Sequence, residues 1–462
     1  MYIQNRDALL GHGNDVLRCA ALDIAEHVLE VVNPYRLTRE LVRLRGDELL
    51  VGTLRFDLST GGDVYVIGAG KASLPIVQAL EDVLEDRIKH GLLTVKAGQT
   101  SHTRIVETRE ASHPLPDSRG MEAAEDTLGL ASQTKEGDIV FCAITGGSSA
   151  LWPCPVDGLD IEDKREVHRL LLESGASIRE INAVRKHLSR IKGGRLASAL
   201  LPAEIVNLTV SDVTGDPYDY ITCPTVPDTS TFEDARKVLD KYSLWEAIPS
   251  NAASYLRAAT PEQENPKSFP DGAIHNFLLV PSDMVCTAAA EKAKLLGLTP
   301  LILTCEMEGD SSREGHIFAE TLTTHRREHP ESPIALIAGG ETTVSLHRRG
   351  GMGGPNQEFG LAAALALNEP GTVVLSLDTD GTDGPTDLAG ALVDSTTVTR
   401  AAERGFDVVY ALETHNVSPL LLASDDAVVT GHTGTNVNDL KLGLGAPEWW
   451  KPTSASDRRA HQ

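Results

Sequence analysis

A chain of 462 residues is longer than one ordinary domain and predicts two or three. Its 41% hydrophobic content can fill real cores, but with aromatics at 4% those cores must be built from Ala, Val, Leu and Ile. Against 66 acidic residues the 42 basic ones leave a net charge of −24, which repels phosphate backbones and acidic headgroups and so excludes nucleic acid and anionic membranes as expected partners.

An anionic small molecule stays compatible with this charge if basic residues gather in one cleft, because the local field decides there. Arg outnumbers Lys, which fits a salt-rich cytoplasm and equally an ordinary acidic protein. Cys19, Cys142, Cys154, Cys223, Cys286 and Cys305 form no CxxC pair and no zinc-type spacing with His, so reduced thiols in a cytoplasmic protein are expected. The N-terminus shows no apolar core of a signal peptide, and no apolar run approaches the roughly 18 residues of a membrane span.

Apolar residues at helical spacing predict a helix over Asp15–Val32, with Asp15 as its N-cap. Asp63–Gly70 reads as a buried strand entering a glycine turn, followed by a helix from Ser73 to Val83. Further strands are predicted at Gly91–Val95, Asp138–Thr145 and Glu204–Val210, with a long helical region over Ile161–Leu200. Strands alternating with helices predict an α/β fold: a parallel sheet covered on both faces, with the C-terminal strand ends on one edge. The stretch Ala258–Gly272, rich in proline and charge, is the expected domain boundary. A second α/β region then begins near Asn276 and continues through strands at Leu301–Thr304, Ile334–Ala338 and Thr372–Leu377. The expected division is 1–265, 273–450 and a fraying tail at 451–462.

Glycine and small polar clusters fall directly after buried strands, on the edge where amide groups and helix N-termini converge in such sheets. Gly68, Gly70 and Lys71 form the first, GAGKA. It is no Walker A loop, because Ala72 stands where Ser or Thr should be, and no full GxGxxG, because Ser73 replaces the third glycine. Lys71 either holds a phosphate at a helix N-terminus or is a solvated side chain on a structural turn. Thr145, Gly146, Gly147, Ser148 and Ser149 offer amides and three hydroxyls as an anion cradle, or a plain turn. His113 and Asp117, in a loop with two prolines, are substrate candidates or structural groups.

Asn182–Arg195 is the most basic stretch. On a continuous helix Arg185 and Lys192 share a face, while Lys186 and Arg190 point elsewhere, so Arg185 is the chosen anion-binding residue, with Lys192 beside it. Asp212, Asp378, Asp380 and Asp383 lie in carboxylate-rich loops that either ligate magnesium and receive a hydroxyl proton or only shape turns. Gly339, Gly340, Glu341 and Thr342 follow a later strand. Asn356, Gln357 and Glu358 open a helix over Glu358–Ala366, where they either cap it or face a ligand.

These stretches, with TGTNVNDL at Thr433–Leu440, together resemble the class II glycerate kinases, the family with a C-terminal MOFRL domain. Matches in family order are GAGKA, HPLPD at His113–Asp117, TGGSSAL at Thr145–Leu151 and NAVRKHLSRIKGGRLA at Asn182–Ala197. SDVTGD at Ser211–Asp216, GGETTV at Gly339–Val344 and DTDGTDGPTDLAG at Asp378–Gly390 continue the series. The resemblance implies a large Rossmann-like N-terminal domain, a smaller C-terminal α/β domain and an active site in the interdomain cleft. It also implies transfer of the ATP γ-phosphoryl to the 2-hydroxyl of D-glycerate, giving 2-phosphoglycerate, with Mg2+. Thr433 and Asn436 join the site on the same ground. A homodimer is the assembly left open. Alternatives are a kinase for another short sugar acid, an NAD(P)H-dependent hydroxypyruvate reductase, and a weakly catalytic ligand-binding homologue. Two departures stand out: Pro355 occupies the position where the family's GGRNQE motif carries arginine, and His432 replaces a proline.

Overall fold

Val64–Ala69 is buried at every position, which is what a central parallel strand covered on both faces requires. In the computed structural model, which describes residues 1–99, 102–211, 215, 218–221, 223–345 and 351–453, this strand (β1) is joined by five others. They are β2 (Ile88–Lys96), β3 (Glu107–Ala111), β4 (Ile139–Ile144), β5 (Glu204–Val210) and β6 (Ile274–Val280). Every neighbouring pair is parallel and the order is β3-β2-β1-β4-β5-β6. That is the doubly wound order, whose direction of progression reverses between β1 and β4. Helices α1 (Ser73–Leu84), α2 (Ser118–Ala131), α3 (Ile161–Glu173), α4 (Ile178–His187) and α5 (Arg195–Leu200) follow or join these strands.

The long helical region expected over Ile161–Leu200 is three helices. Gly175 at φ 74° ends α3, and Ser177 with Glu180 forms a capping box that starts α4 afresh. Gly193 and Gly194, at φ 63° and 79°, then separate α4 from α5. Lys192 therefore sits in a turn and not on a continuous helix with Arg185.

The chain divides into two compact units, Pro34–Val280 and a second made of Met1–Asn33 with Pro281–Gln462. This differs from the division at 265–273 in two ways. First, β6 completes the first sheet, with Ile205 opposite Ile274. The proline-rich stretch before it is a tethered crossover: Glu264 accepts from His187 at 2.7 Å, and Asn265 bonds Asp228 at 2.7 Å. Second, the N-terminal helix, Asp15–Val31 with Asn14 and not Asp15 as its cap, packs in the second unit. Its fully buried Arg18 pairs with Asp394 and Asp426, each at 2.8 Å.

The second unit holds a mixed sheet in the order β7-β8-β12-β9-β10-β11. Its strands are β7 (Thr299–Met307), β8 (Ile334–Gly340), β9 (Thr372–Leu377), β10 (Gly390–Asp394), β11 (Ala427–Val428) and β12 (Asp439–Gly445). Only β7 and β8 run parallel. Helix α6 (Pro355–Ala366) lies beside β10 and begins three residues before Glu358, because Pro355 is suited to the first helical turn, where no N–H bond is needed. Among the described residues no helix is long and apolar enough to cross a membrane.

Candidate active site

The reversal of the first sheet separates the loops that follow β1 and β4, and these are the GAGKA and TGGSS turns. Gly70 has φ 138°, and a Cβ there would lie 2.2 Å from the Thr145 hydroxyl, so only glycine lets the two turns meet. The Lys71 amide donates to the Gly146 carbonyl at 2.9 Å. The Thr145 hydroxyl accepts from the Ala72 amide at 3.2 Å and lies 3.1 Å from the Ser73 hydroxyl, so it fastens the start of α1 and is not a free member of a cradle. A Cβ on Gly147 would stand 3.3 Å from His113 Nε2 and 3.4 Å from Lys71 Cγ. Lys71, His113 and Gly147 are thus neighbours. Asp117 caps α2 by accepting from Gly120, and Arg119 at 2.7 Å holds part of its charge.

Beside the β4 turn lies a cavity of about 190 Å³ lined by Thr145–Ser149, Arg185 and Lys192, among others. The structure sorts the basic stretch. Lys186 pairs with Asp219 and Asp228, Arg190 with Glu125 and Asp157, and Arg195 bonds Asn265. Arg185 and Lys192 have no carboxylate partner among the described residues; Lys192 donates only to the Ser149 hydroxyl. Burial first, then the neighbouring cations Arg185 and Lys186, pushes the Lys192 ammonium down to about 8 against the pull of the Cys223 thiol. Burial likewise lowers the Arg185 guanidinium.

Two basic groups absent from the sequence reading join them from α3. Lys164 Nζ and His168 Nδ1 are buried without a hydrogen-bond partner among the described residues. Burial, then Lys192 and Arg185, brings Lys164 to about 7, and burial with the same two cations brings His168 to about 4. Their signal was present as an i, i+4 pair beside the apolar Val167 and Leu171, but it lies outside any glycine turn.

In the second unit several candidates are bonded into the fold. Asp383 accepts the amides of Asn356 and Gln357, each at 2.9 Å, and so caps α6; burial above all raises its carboxyl to about 6. Asn356 accepts from Ser376 at 2.7 Å and from the fully buried Lys441, which sequence reasoning missed. Gln357 accepts from Ser418, and Glu358 accepts from His415 at 2.9 Å. Thr342 bonds Ser311 at 2.9 Å, Glu341 is exposed, and Gly340, at φ 125°, packs a Cβ position 2.2 Å from the Met307 amide, with Gly339 beside it against Cys286. Thr433 donates to the Thr379 carbonyl and Asn436 is buried.

Asp378 and Asp380 follow β9. Asp378 accepts from the Asp380 amide at 2.9 Å, and Asp380 accepts from the Thr382 amide at 2.8 Å. Burial, then the charges of Asp380 and Asp439, raises the Asp378 carboxyl well above its ordinary range. Asp212 lies outside the described residues. Among the described residues no three His, Cys, Asp or Glu side chains form a metal-holding set. Mg2+, however, is usually held by one or two carboxylates together with substrate phosphates, and the crowded Asp378–Asp380 pair has the chemistry for that.

A doubly wound sheet with cations beside the turn at its switch point, followed by a second mixed α/β unit, defines a class for which there are matches along the chain. Residues 20–257 match the domain of unknown function DUF4147, and residues 334–439 match the MOFRL family. The chain is 37% identical to the glycerate 2-kinase of Pyrococcus horikoshii over 93% of its own length and 97% of that protein's. The crystal structure of a glycerate kinase from Thermotoga maritima superposes with a TM-score of 0.79 at 36% identity, covering 93% of this chain and 99% of that one. A protein of Agrobacterium vitis, 38% identical over 82% of this chain and 98% of its own, bears the provisional name hydroxypyruvate reductase. The chain belongs to the glycerate 2-kinase family.

Proposed function

We propose that this protein is an ATP-dependent, cytoplasmic glycerate 2-kinase that converts D-glycerate to 2-phosphoglycerate and ADP. The observation that carries the reading is the pair Arg185 and Lys192, cations without a carboxylate partner among the described residues, facing the Thr145–Ser149 turn in a chain of net charge −24. Kinship with named glycerate 2-kinases over 93% of the chain supports it. The six free cysteines support the reducing compartment.

Phosphoryl transfer asks a protein for alignment and charge neutralisation more than for covalent chemistry. A bond forms between the 2-hydroxyl oxygen and the γ-phosphorus, the bond to the β–γ bridging oxygen breaks, and the hydroxyl proton leaves to a carboxylate. Lys71, at the start of α1, is assigned to the transferring phosphoryl group. The amides of Gly146–Ser149 and the Lys192 ammonium are assigned to anionic oxygens, and Arg185 to a carboxylate or phosphate, for which its planar fork suits it. Asp378 and Asp380 are assigned to Mg2+, which when bound neutralises phosphate charge. Asp212 takes a share of that role or receives the hydroxyl proton.

The test is ADP release over a panel of short hydroxy acids, with the phosphorylated position identified by NMR. D-glycerate giving 2-phosphoglycerate is the expected result. NADH or NADPH oxidation with hydroxypyruvate, and no ADP release, would replace the kinase with the reductase that the Agrobacterium vitis name suggests.

A further inference from the structure

Behind the loop cavity lies a second chamber of about 310 Å³, sharing Ser149, Arg185 and Lys192 with it. One wall is α3, which contributes Lys164, His168 and Leu172; the opposite wall is Pro114, Leu115 and Pro116. Arg165 ties the walls together by donating to the Pro116 carbonyl. Among the described residues no Asp or Glu lines the chamber. Arg165 and Arg169 are neutralised by Glu162, Glu166 and Glu173 on their own helix, which leaves Lys164, Arg185 and Lys192 as cations without a counter-charge among the described residues. At the mouth, Leu115 and Leu172 are 68% and 57% exposed.

These features call for one kind of occupant. Three cations without a counter-charge among the described residues match the charge of a polyphosphate. Exposed leucines and flat prolines are uncovered apolar surface, which a small hydroxy acid has nothing to cover, while the base and sugar of a nucleotide have. A cavity of this size lies at the small end of ordinary ligand sites, and the neighbouring loop cavity continues it toward Gly147, beside Lys71.

We infer that the chamber between α3 and the 114–116 loop is the nucleoside end of the phosphoryl-donor site, with Lys164 as a further phosphate-binding residue. The base lies against Leu115 and Leu172, the polyphosphate runs along Lys164, Lys192 and Arg185, and its terminal group reaches the Gly147–Lys71 turn. The lowered protonation of Lys164 and His168 accords with a site short of anions until a ligand arrives. The inference deepens the kinase reading and rests on it for the identity of the donor.

Calorimetric titration of the full chain with ADP and with inorganic tripolyphosphate, in the absence of any hydroxy acid, tests it. Lys164→Met is expected to weaken both ligands at least tenfold. Leu172→Asp, at an exposed position that tolerates change, is expected to weaken ADP at least tenfold and tripolyphosphate less than threefold. Leu115→Asp, on the other wall, repeats that discrimination if α3 suffers in the first variant. ADP binding at wild-type strength in all three overturns the inference, as does a change confined to KM for D-glycerate. If ADP follows the expected pattern while no hydroxy acid releases it, the kinase reading fails and the nucleotide chamber stands. If D-glycerate is phosphorylated with an unaltered KM for ATP in the variants, the chamber fails and the kinase stands.

Discussion

The ammonium of Lys192 donates to the hydroxyl of Ser149, 43 residues earlier in the chain, and meets no carboxylate among the described residues. A buried lysine satisfied only by a neutral hydroxyl costs stability, and in a chain this acidic a counter-charge was easy to supply. The arrangement is understandable as a site that keeps its charge for a ligand. Lys192→Met should therefore raise the melting temperature of the free protein, by about 0.5–2 kcal/mol of stability, while lowering kcat/KM about 10²–10³-fold. Thermal melts with and without added phosphate, paired with kinetics, check both halves.

Protons should accompany anion binding. In the unfolded chain a lysine stays charged to a pH of about 10.4. In the folded chain Lys164 and Lys192 lose their protons near 7 and 8, in the company of Arg185, Lys186, His168, Cys154 and Cys223. The unfolded state thus binds more protons above pH 7, so the destabilisation is fully present below pH 7 and is relieved as pH rises toward 10. An anion favours the charged forms, so it takes up protons at pH 8 and binds more weakly as pH climbs. Calorimetry in buffers of different ionisation enthalpy measures that uptake; a value of zero contradicts the site's electrostatics.

Asp383 belongs to the fold. Its carboxylate receives two amides of α6 and the Gln357 side chain. Asp383→Ala leaves those buried donors unsatisfied and should cost about 1–3 kcal/mol in denaturant unfolding. Activity measured well below the melting point should fall less than in Lys192→Met.

Pro355 stands at the first helical position of α6, where an arginine needs no bond that proline lacks. Pro355→Arg should change stability by less than about 1 kcal/mol. If this departure from the family motif weakens substrate binding, the variant lowers KM for D-glycerate, and Michaelis kinetics at fixed ATP read it directly.

Arg18 anchors the N-terminal helix through two buried carboxylates. Arg18→Leu leaves buried Asp394 without a cation, while Asp426 keeps Arg400, and should cost about 3–5 kcal/mol. Urea unfolding followed by tryptophan fluorescence measures it.

The sequence was most readable where one physical cause acted alone. Continuous apolar runs gave β1, β4 and β5, and the glycine turns after them marked the sheet edge. Composition misled where two causes look alike: a proline-rich crossover held by Glu264 and Asn265 resembles an interdomain linker. The basic stretch could not be sorted by spacing, because whether Lys186 or Arg185 is neutralised depends on where Asp219 and Asp228 arrive from 33 and 42 residues away. Lys164 and Lys441 stayed invisible because burial of a lone lysine is decided by tertiary packing. Asn356, Gln357 and Glu358 read as a group at a helix start and Asp383 as a separate loop carboxylate, but a cap and a ligand contact use the same atoms and the same spacing.

The most direct measurement is titration of 2-phosphoglycerate into the wild-type protein, Arg185→Gln and Lys192→Gln. Saturable binding in the wild type that falls at least tenfold in each variant is the predicted result. Equal affinity in all three would mean that these cations do not hold the phosphorylated acid, and its assignment to the turn after β4 would fall.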